Sequence, residues 1–297
     1  VKPTLLFYGN CQAAALSVIF SADPTIAEAY NVLHIPSFDD RIPDSVAVND
    51  EAIAATTVFF DQHDKAPFPK GDILPADCRR VTFPSVDLFL LWPLHCVNVY
   101  NDAPTPQTLW GRFPYGDRAV VDGVMQGLSA GEVLASYETA SQRALPDLDR
   151  FEKLEYARLR ARDAQCEVKM SDFVVGAFRT QNLFWCVNHP SMFALRELTH
   201  RLIAAAGEQA TELQRAAIDA TIATLHPEGP LSDMHAPIHP AVVDHFKLEW
   251  YPRDDGPYFG LRDNRLTYQQ YLREMIECSV RVRDEAALGL PTSSATQ

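Results

Sequence analysis

The chain has no CxxC pair. Its six cysteines, Cys11, Cys78, Cys96, Cys166, Cys186 and Cys278, are scattered along 297 residues, which excludes a zinc ribbon and a disulfide-dense secreted scaffold. No apolar run approaches about 18 residues, the least that crosses a bilayer. The first one is broken by Gly9-Asn10 and Gln12 before it can read as a signal peptide. Positive charge is scarce: 26 Lys and Arg stand against 39 Asp and Glu, a formal net charge of −13. That argues against a broad nucleic-acid-binding face, and an anionic ligand would need a local basic pocket. Internal repeats and low-complexity blocks are missing too. The expectation is a cytoplasmic chain in a reducing environment, with no membrane span and no nucleic-acid partner. What is present is ordinary for a globular protein, 47% hydrophobic and 22% charged residues. The length suffices for a large core, as two subdomains or one large α/β unit.

The most informative segment lies near the start. Thr4–Tyr8 is short, apolar and aromatic, and reads as a buried strand, whereas Gln12–Phe20 reads as a helix. Gly9-Asn10-Cys11-Gln12 therefore forms the turn from strand to helix. Unpaired backbone N–H groups at a helix start favour negative charge, lower the pKa of a thiol there and stabilise an oxyanion beside it. Gly9 permits a tight turn and Asn10 offers a side-chain amide. The alternative is a turn enclosing a buried cysteine, a residue type often found inside.

Asn31–Ile35, Thr57–Asp61 and Arg79–Phe83 read as three further short strands, separated by segments rich in Pro36, Pro43, Pro67, Pro69 and Pro75. This opening predicts an α/β fold with an N-terminal Rossmann-like parallel sheet and a mainly helical C-terminal half. Ligands of such sheets bind beyond the carboxyl ends of the strands, where Cys11 and the residues after Phe60 would both lie. Helices are predicted over Val120–Ala135, Asp147–Arg162, Pro190–Ala206, Glu208–Leu225 and Leu266–Arg283. Ser171-Asp172 resembles an N-cap. Arg158, Arg160 and Arg162 read as a solvated face, Asn182–Val187 as a strand, and the tail from Pro291 as frayed. The predicted division falls near Tyr115, into an α/β lobe over 1–115 and a mainly helical lobe over 116–297.

A cysteine at a helix start needs a base close in space. His189, in Asn188-His189-Pro190, and His63, in Asp61-Gln62-His63-Asp64, each follow a predicted strand and are the leading candidates. Gln62 and Asn10 carry amide donors suited to an oxyanion hole. The plain alternative is that both histidines cap turns. His95, in Trp92-Pro93-Leu94-His95, follows the apolar run Val86–Leu91. His226, His235, His239 and His245 are spread over a Pro-rich connector and the helix after it. Pro237 and Pro240 interrupt the HxxxH spacing, and Asp61-x-His63-Asp64 lacks partner spacing, so no metal is predicted.

Gly9-Asn10-Cys11-Gln12, Phe83-Pro84 leading to Trp92-Pro93, Asn188-His189-Pro190 and Pro237-Ile238-His239-Pro240 together resemble the WcbI-type polysaccharide biosynthesis proteins. Each motif is short, and their joint order carries the specificity. The resemblance implies coenzyme A binding and an acyl-CoA-dependent O-acetyltransferase acting on a sugar or glycan precursor of the capsule type. It also implies a two-lobed, largely helical architecture. Coenzyme A brings phosphates that call for cations. Arg179 and one of Arg79 and Arg80 are the best placed of a set that includes Lys70 and Arg112, with Gly9 and Gln12 of the turn beside the ligand. A weaker similarity links the first turn to the Gly-Asp-Ser of SGNH hydrolases, with Cys11 in place of serine. Their Asp-x-x-His signature does not occur around His189. A non-catalytic module binding coenzyme A or a nucleotide, and a cysteine-nucleophile esterase, are the competing readings.

Overall fold

The computed structural model describes residues 2–37, 50–63, 65–105, 108, 110–207, 211–252, 258–259 and 265–289. Pro43, Asp64 and the tail from Pro291 lie outside these residues. By compactness the chain forms two units, each discontinuous in sequence: Val1–Asp87 with Leu154–Ser232, and Leu88–Lys153 with Asp233–Gln297. A single cut near Tyr115 does not separate them, since Tyr115 is interior to the second and His189 belongs with the first.

The first unit is built on four parallel strands, β1 (Thr4–Gly9), β2 (Asn31–Pro36), β3 (Thr56–Gln62) and β4 (Arg79–Phe83), in the order β2-β1-β3-β4. All six residues of β1 are buried, as a central parallel strand covered on both faces requires. One face carries Phe7 and Phe60, which are register partners stacked 4.5 Å apart. Phe20 of α1 (Cys11–Ala22) closes on both rings edge-on, at 5.0 and 5.6 Å. The opposite face gathers Leu6, Tyr8 and Phe59 under Phe68 and Leu74. Chain order reverses between β1 and β3, so the crevice of a doubly wound sheet lies at their carboxyl ends.

The α1 helix starts where the sequence indicated. Asn10 caps it, its Oδ1 accepting from the Gln12 N–H at 2.9 Å, and Ala13-Ala14-Ala15-Leu16 are strong helix formers. Asp23 ends it and caps α2 (Pro24–Ala29), with Pro24 at the first helical position where a missing N–H costs nothing. A short α3 (Asp50–Ala54) precedes β3.

In the second unit the hairpin β5 (His95–Val97) with β6 (Tyr115–Asp117) leads into α4 (Arg118–Met125) and α5 (Ala130–Ala144). The single helix expected over Val120–Ala135 is thus two. Gly127 adopts φ 80°, a left-handed conformation suited to glycine, and Ser129 and Glu132 form a capping box that restarts the helix. α6 (Leu148–Asp163) agrees with expectation in extent and carries the chain into the first unit at Leu154, where α7 also belongs. α7 (Ser171–Ala177) is capped from outside its own start, because the Asp163 carboxylate accepts from Met170 N and Ser171 N. In the first unit β7 (Phe184–Cys186) folds back on β8 (His189–Pro190) as a hairpin, and α8 (Met192–Ala206) follows. The helix expected over Glu208–Leu225 is described as two short pieces, α9 (Thr211–Arg215) and α10 (Ile218–Thr224).

The second unit closes with α11 (Pro240–Phe246), a small hairpin of β9 (Tyr258–Phe259) and β10 (Arg265–Leu266), and α12 (Tyr268–Ala287). Its core joins α4, α5 and α12 through Val120, Val124, Val133, Tyr137, Leu272 and Ile276. The indole N–H of Trp92 donates to the carbonyls of Ala236 and Pro237, both at 3.1 Å. The Trp92-Pro93 and Pro237-Ile238-His239-Pro240 segments therefore meet through a hydrogen bond. Among the described residues no helix is long and apolar enough to cross a membrane.

Candidate active site

Cys11 is the first residue of α1, half-buried, at the carboxyl edge of the sheet. All six cysteines are thiols. Burial pushes Cys78 up to about 11, with Asp77 adding to the effect, and burial also raises Cys96 and lifts Cys278 to about 11.

The residues around Cys11 are locked by two glutamines. Gln62, at the end of β3 and 1% exposed, accepts from Asn10 N through Oε1 at 2.8 Å and donates from Nε2 to Gln12 Oε1 at 3.2 Å. Gln12 is 0% exposed. Its Nε2 donates to the carbonyls of Val86, at 2.6 Å, and Asn188, at 2.8 Å, and its Oε1 also accepts from Val86 N at 2.9 Å. The sequence places Gln12 beside the ligand; in the structure its fully buried amide has every site bonded within the protein and presents nothing to one. Gln62 likewise turns its amide inward to Gln12. Asn10 contributes its oxygen as a cap, where the sequence suggested a donor. Gly9 is required by close approach: a Cβ there would stand 2.5 Å from Gln62 Oε1, 2.7 Å from Gln62 Cβ and 2.8 Å from Ala13 Cβ.

The structure brings His189 into this same unit. Its Nδ1 lies 3.2 Å from the carbonyl oxygen of Leu231. A carbonyl only accepts, so Nδ1 carries the proton and the lone pair falls on Nε2, the tautomer of a general base. The ring is 8% exposed. The peptide bond that precedes it belongs to Asn188, whose carbonyl Gln12 holds. His63 continues the edge of β3, its N–H donating to Phe83 O at 2.7 Å, and its side chain is half-buried.

A further histidine was not singled out in the sequence. His34, the register partner of Phe7 on β2, directs Nε2 to Gly9 O at 3.2 Å. Burial lowers its pKa against the opposing pull of the Gly9 and Asn10 carbonyls, which favours the neutral ring. It lies inside an apolar strand pattern, and only the register reveals its place beside the turn.

Each of the cations that the sequence offers for phosphates has a partner within the protein. Arg79 and Arg80 open β4, so they stand four and three residues from its carboxyl end, about 13 and 10 Å at ~3.3 Å per residue. They diverge as strand alternation requires. Arg79 pairs with Glu167 and donates to Ala205 O at 2.8 Å, whereas Arg80 pairs with Asp61 and lies over the Phe59 ring. Arg179 stacks on Phe178, its guanidinium carbon 4.4 Å from the ring centre, and donates to Tyr156 OH at 3.2 Å. Lys70 pairs with Asp50, and Arg112 with Glu274.

Arg158 and Arg162 overturn the solvated-face reading. Both reach Asp87 in the loop after β4, Arg158 also binds the buried Glu155, and Arg162 donates to Ser85 O at 2.6 Å. The buried stripe of α6 is Glu155, Leu159 and Asp163, so two of its three inward positions are acids. Only Arg160 of the three arginines is exposed. These cations brace the loop that carries Val86, and hence Gln12. Among the described residues no group of three or more His, Cys, Asp or Glu is arranged to hold a metal ion.

Comparison with known proteins gives a consistent picture. The family model for the polysaccharide biosynthesis enzyme WcbI matches residues 4–211. No curated protein matches. A solved structure of WcbI, described as a novel polysaccharide biosynthesis enzyme in its native form without a disulfide bond between CoA and one of its cysteines, has the same fold. Its TM-score is 0.68 at 19% identity, over 99% of this chain and 96% of that one.

Proposed function

Because this chain belongs to the WcbI family of polysaccharide biosynthesis enzymes, we propose that it is an acyl-CoA-dependent O-acetyltransferase acting on a sugar or polysaccharide precursor of the capsule type. One observation carries the reading. Gln12, the peptide neighbour of Cys11, donates to the carbonyl of Asn188, the peptide neighbour of His189, at 2.8 Å. A nucleophile candidate and a base candidate 178 positions apart in the sequence are thereby tied through one side chain. The description of the solved WcbI structure, native and without a disulfide bond between CoA and one of its cysteines, associates that protein with CoA and supports CoA as a ligand here.

In this mechanism His189 Nε2 takes the thiol proton of Cys11, and the sulfur attacks the acetyl thioester carbonyl. The N–H groups at the start of α1 favour the developing oxyanion. The S–C bond to CoA breaks as His189 returns the proton to the departing thiolate. A sugar hydroxyl then attacks the acetyl-cysteine while His189 accepts its proton, and Cys11 leaves as thiolate to be reprotonated. Gln62 and Asn10 act by fixing the turn, His63 lines the β3 end of the crevice, and His34 holds the Gly9 carbonyl from β2. Arg179, on its aromatic shelf, is the remaining phosphate candidate from the sequence. Arg79 and Arg80 would serve only by giving up carboxylate partners. An acyl-CoA co-substrate and six thiols fit a cytoplasmic enzyme.

Isothermal calorimetry with CoA and with acetyl-CoA tests the reading. The expected result is binding of both that weakens as salt rises, because phosphate–cation pairing is screened. No heat with either ligand overturns it.

A further inference from the structure

A carboxamide offers two donors and two acceptor lone pairs, and Gln12 uses all four. It engages the end of β3 through Gln62, the loop after β4 through both polar groups of Val86, and the β7–β8 turn through Asn188. These segments are 50, 74 and 176 positions away in the sequence. Gln62, in turn, accepts from Asn10 N, so the residues on both sides of Cys11 are held by the glutamine pair. No other residue type of this size fits: an ionised glutamate would turn oxygens on the Val86 and Asn188 carbonyls, and methionine would leave buried backbone groups unmatched.

Resting on the reading of Cys11 and His189 as the reacting pair, we propose that Gln12 is the positioning residue of the site. Its buried carboxamide holds the first turn of α1, which carries Cys11, and the hairpin that carries His189 in one fixed arrangement. It touches no substrate and acts through its two neighbours.

The test uses the full chain without ligand. Gln12→Glu, Gln12→Met and Gln62→Met are compared with wild type and with Phe20→Leu, a core variant of α1 that lowers stability away from the turn. Two readouts are followed: the pH midpoint of Cys11 alkylation by iodoacetamide, and the His189 tautomer by 15N imidazole NMR. Wild type is expected to show a single Nδ1–H tautomer and a midpoint below that of an unperturbed thiol, about 8.5. The glutamine variants should mix tautomers and move the midpoint toward that value, and Phe20→Leu should change neither. Should a Gln12 variant fail to fold, Gln62→Met gives the same readouts. The proposal is overturned if the folded glutamine variants keep both wild-type signatures, or if Phe20→Leu shifts them equally. Failure to bind CoA would overturn the acyl-transfer reading alone, since neither readout uses CoA.

Discussion

At the scale of single residues, the turn was legible in kind but not in role. Strand, glycine, cap and cysteine all follow from the order Thr4–Tyr8, Gly9-Asn10-Cys11-Gln12, Ala13-Ala14-Ala15. A sequence shows which residues can bond, not which already have. Gln12 and Gln62 read as ligand and oxyanion donors because glutamine is polar, and burial turned both inward. Gly9 read as the residue that permits a tight turn, and its constraint in the fold is space. Gly9→Ala forces a methyl against Gln62 Cβ and Ala13 Cβ, contacts of 2.7 and 2.8 Å in a packed sheet. Overpacking of this kind costs about 1–3 kcal/mol, and chemical denaturation should show that loss. An unchanged midpoint would mean the turn is looser than described.

At the scale of elements, the central strands β1 and β3 were readable because burial leaves them runs of apolar and aromatic residues, and the half-buried edges β2 and β4 because each is a short run bounded by turn formers. Helix limits were less so where the decisive group lies outside the helix, as with Asp163 capping α7. α6 shows the same limit in its packing, since inward acids paired with Arg158 and Arg162 look like a wet surface in sequence. Arg162→Ala should therefore destabilise the chain by about 1–3 kcal/mol, because it removes one of the two cations on the buried Asp87 and leaves the Ser85 carbonyl without its donor. Arg160→Ala should be nearly silent, and equal effects in thermal denaturation would contradict the buried network. In the second unit Asp117 caps α4 and accepts from Tyr137 OH at 2.8 Å. Burial nevertheless pushes it up from 3.8 to about 6. The folded pKa is raised, so its contribution is full below about pH 4 and is lost as pH rises to about 6. The shift corresponds to about 3 kcal/mol at 1.36 kcal/mol per unit. Asp117→Asn should flatten stability between pH 4 and 6 relative to wild type. Parallel pH profiles for the two proteins would contradict the assignment.

For the whole molecule, the α/β class with a helical remainder was accessible from the sequence, but the two compact units were not. Each is assembled from two stretches of chain, and local composition carries no record of which stretches return to one another. The same return sets the Asn188 carbonyl, beside His189, against the Gln12 amide, beside Cys11, a meeting to which their separation in the sequence gives no clue beyond each candidate following a strand. The central claim is that Cys11 and His189 act as one catalytic unit. Thiol release from acetyl-CoA in the presence of a glycan acceptor measures it, using Cys11→Ala, His189→Ala and the double variant, with CoA binding confirmed for each. Residues of one catalytic unit are strongly non-additive. Each single variant should lose most turnover while retaining CoA, and the double variant should be scarcely slower than either. Turnover near wild type in the double variant would contradict the account and move the search to His63 and His34.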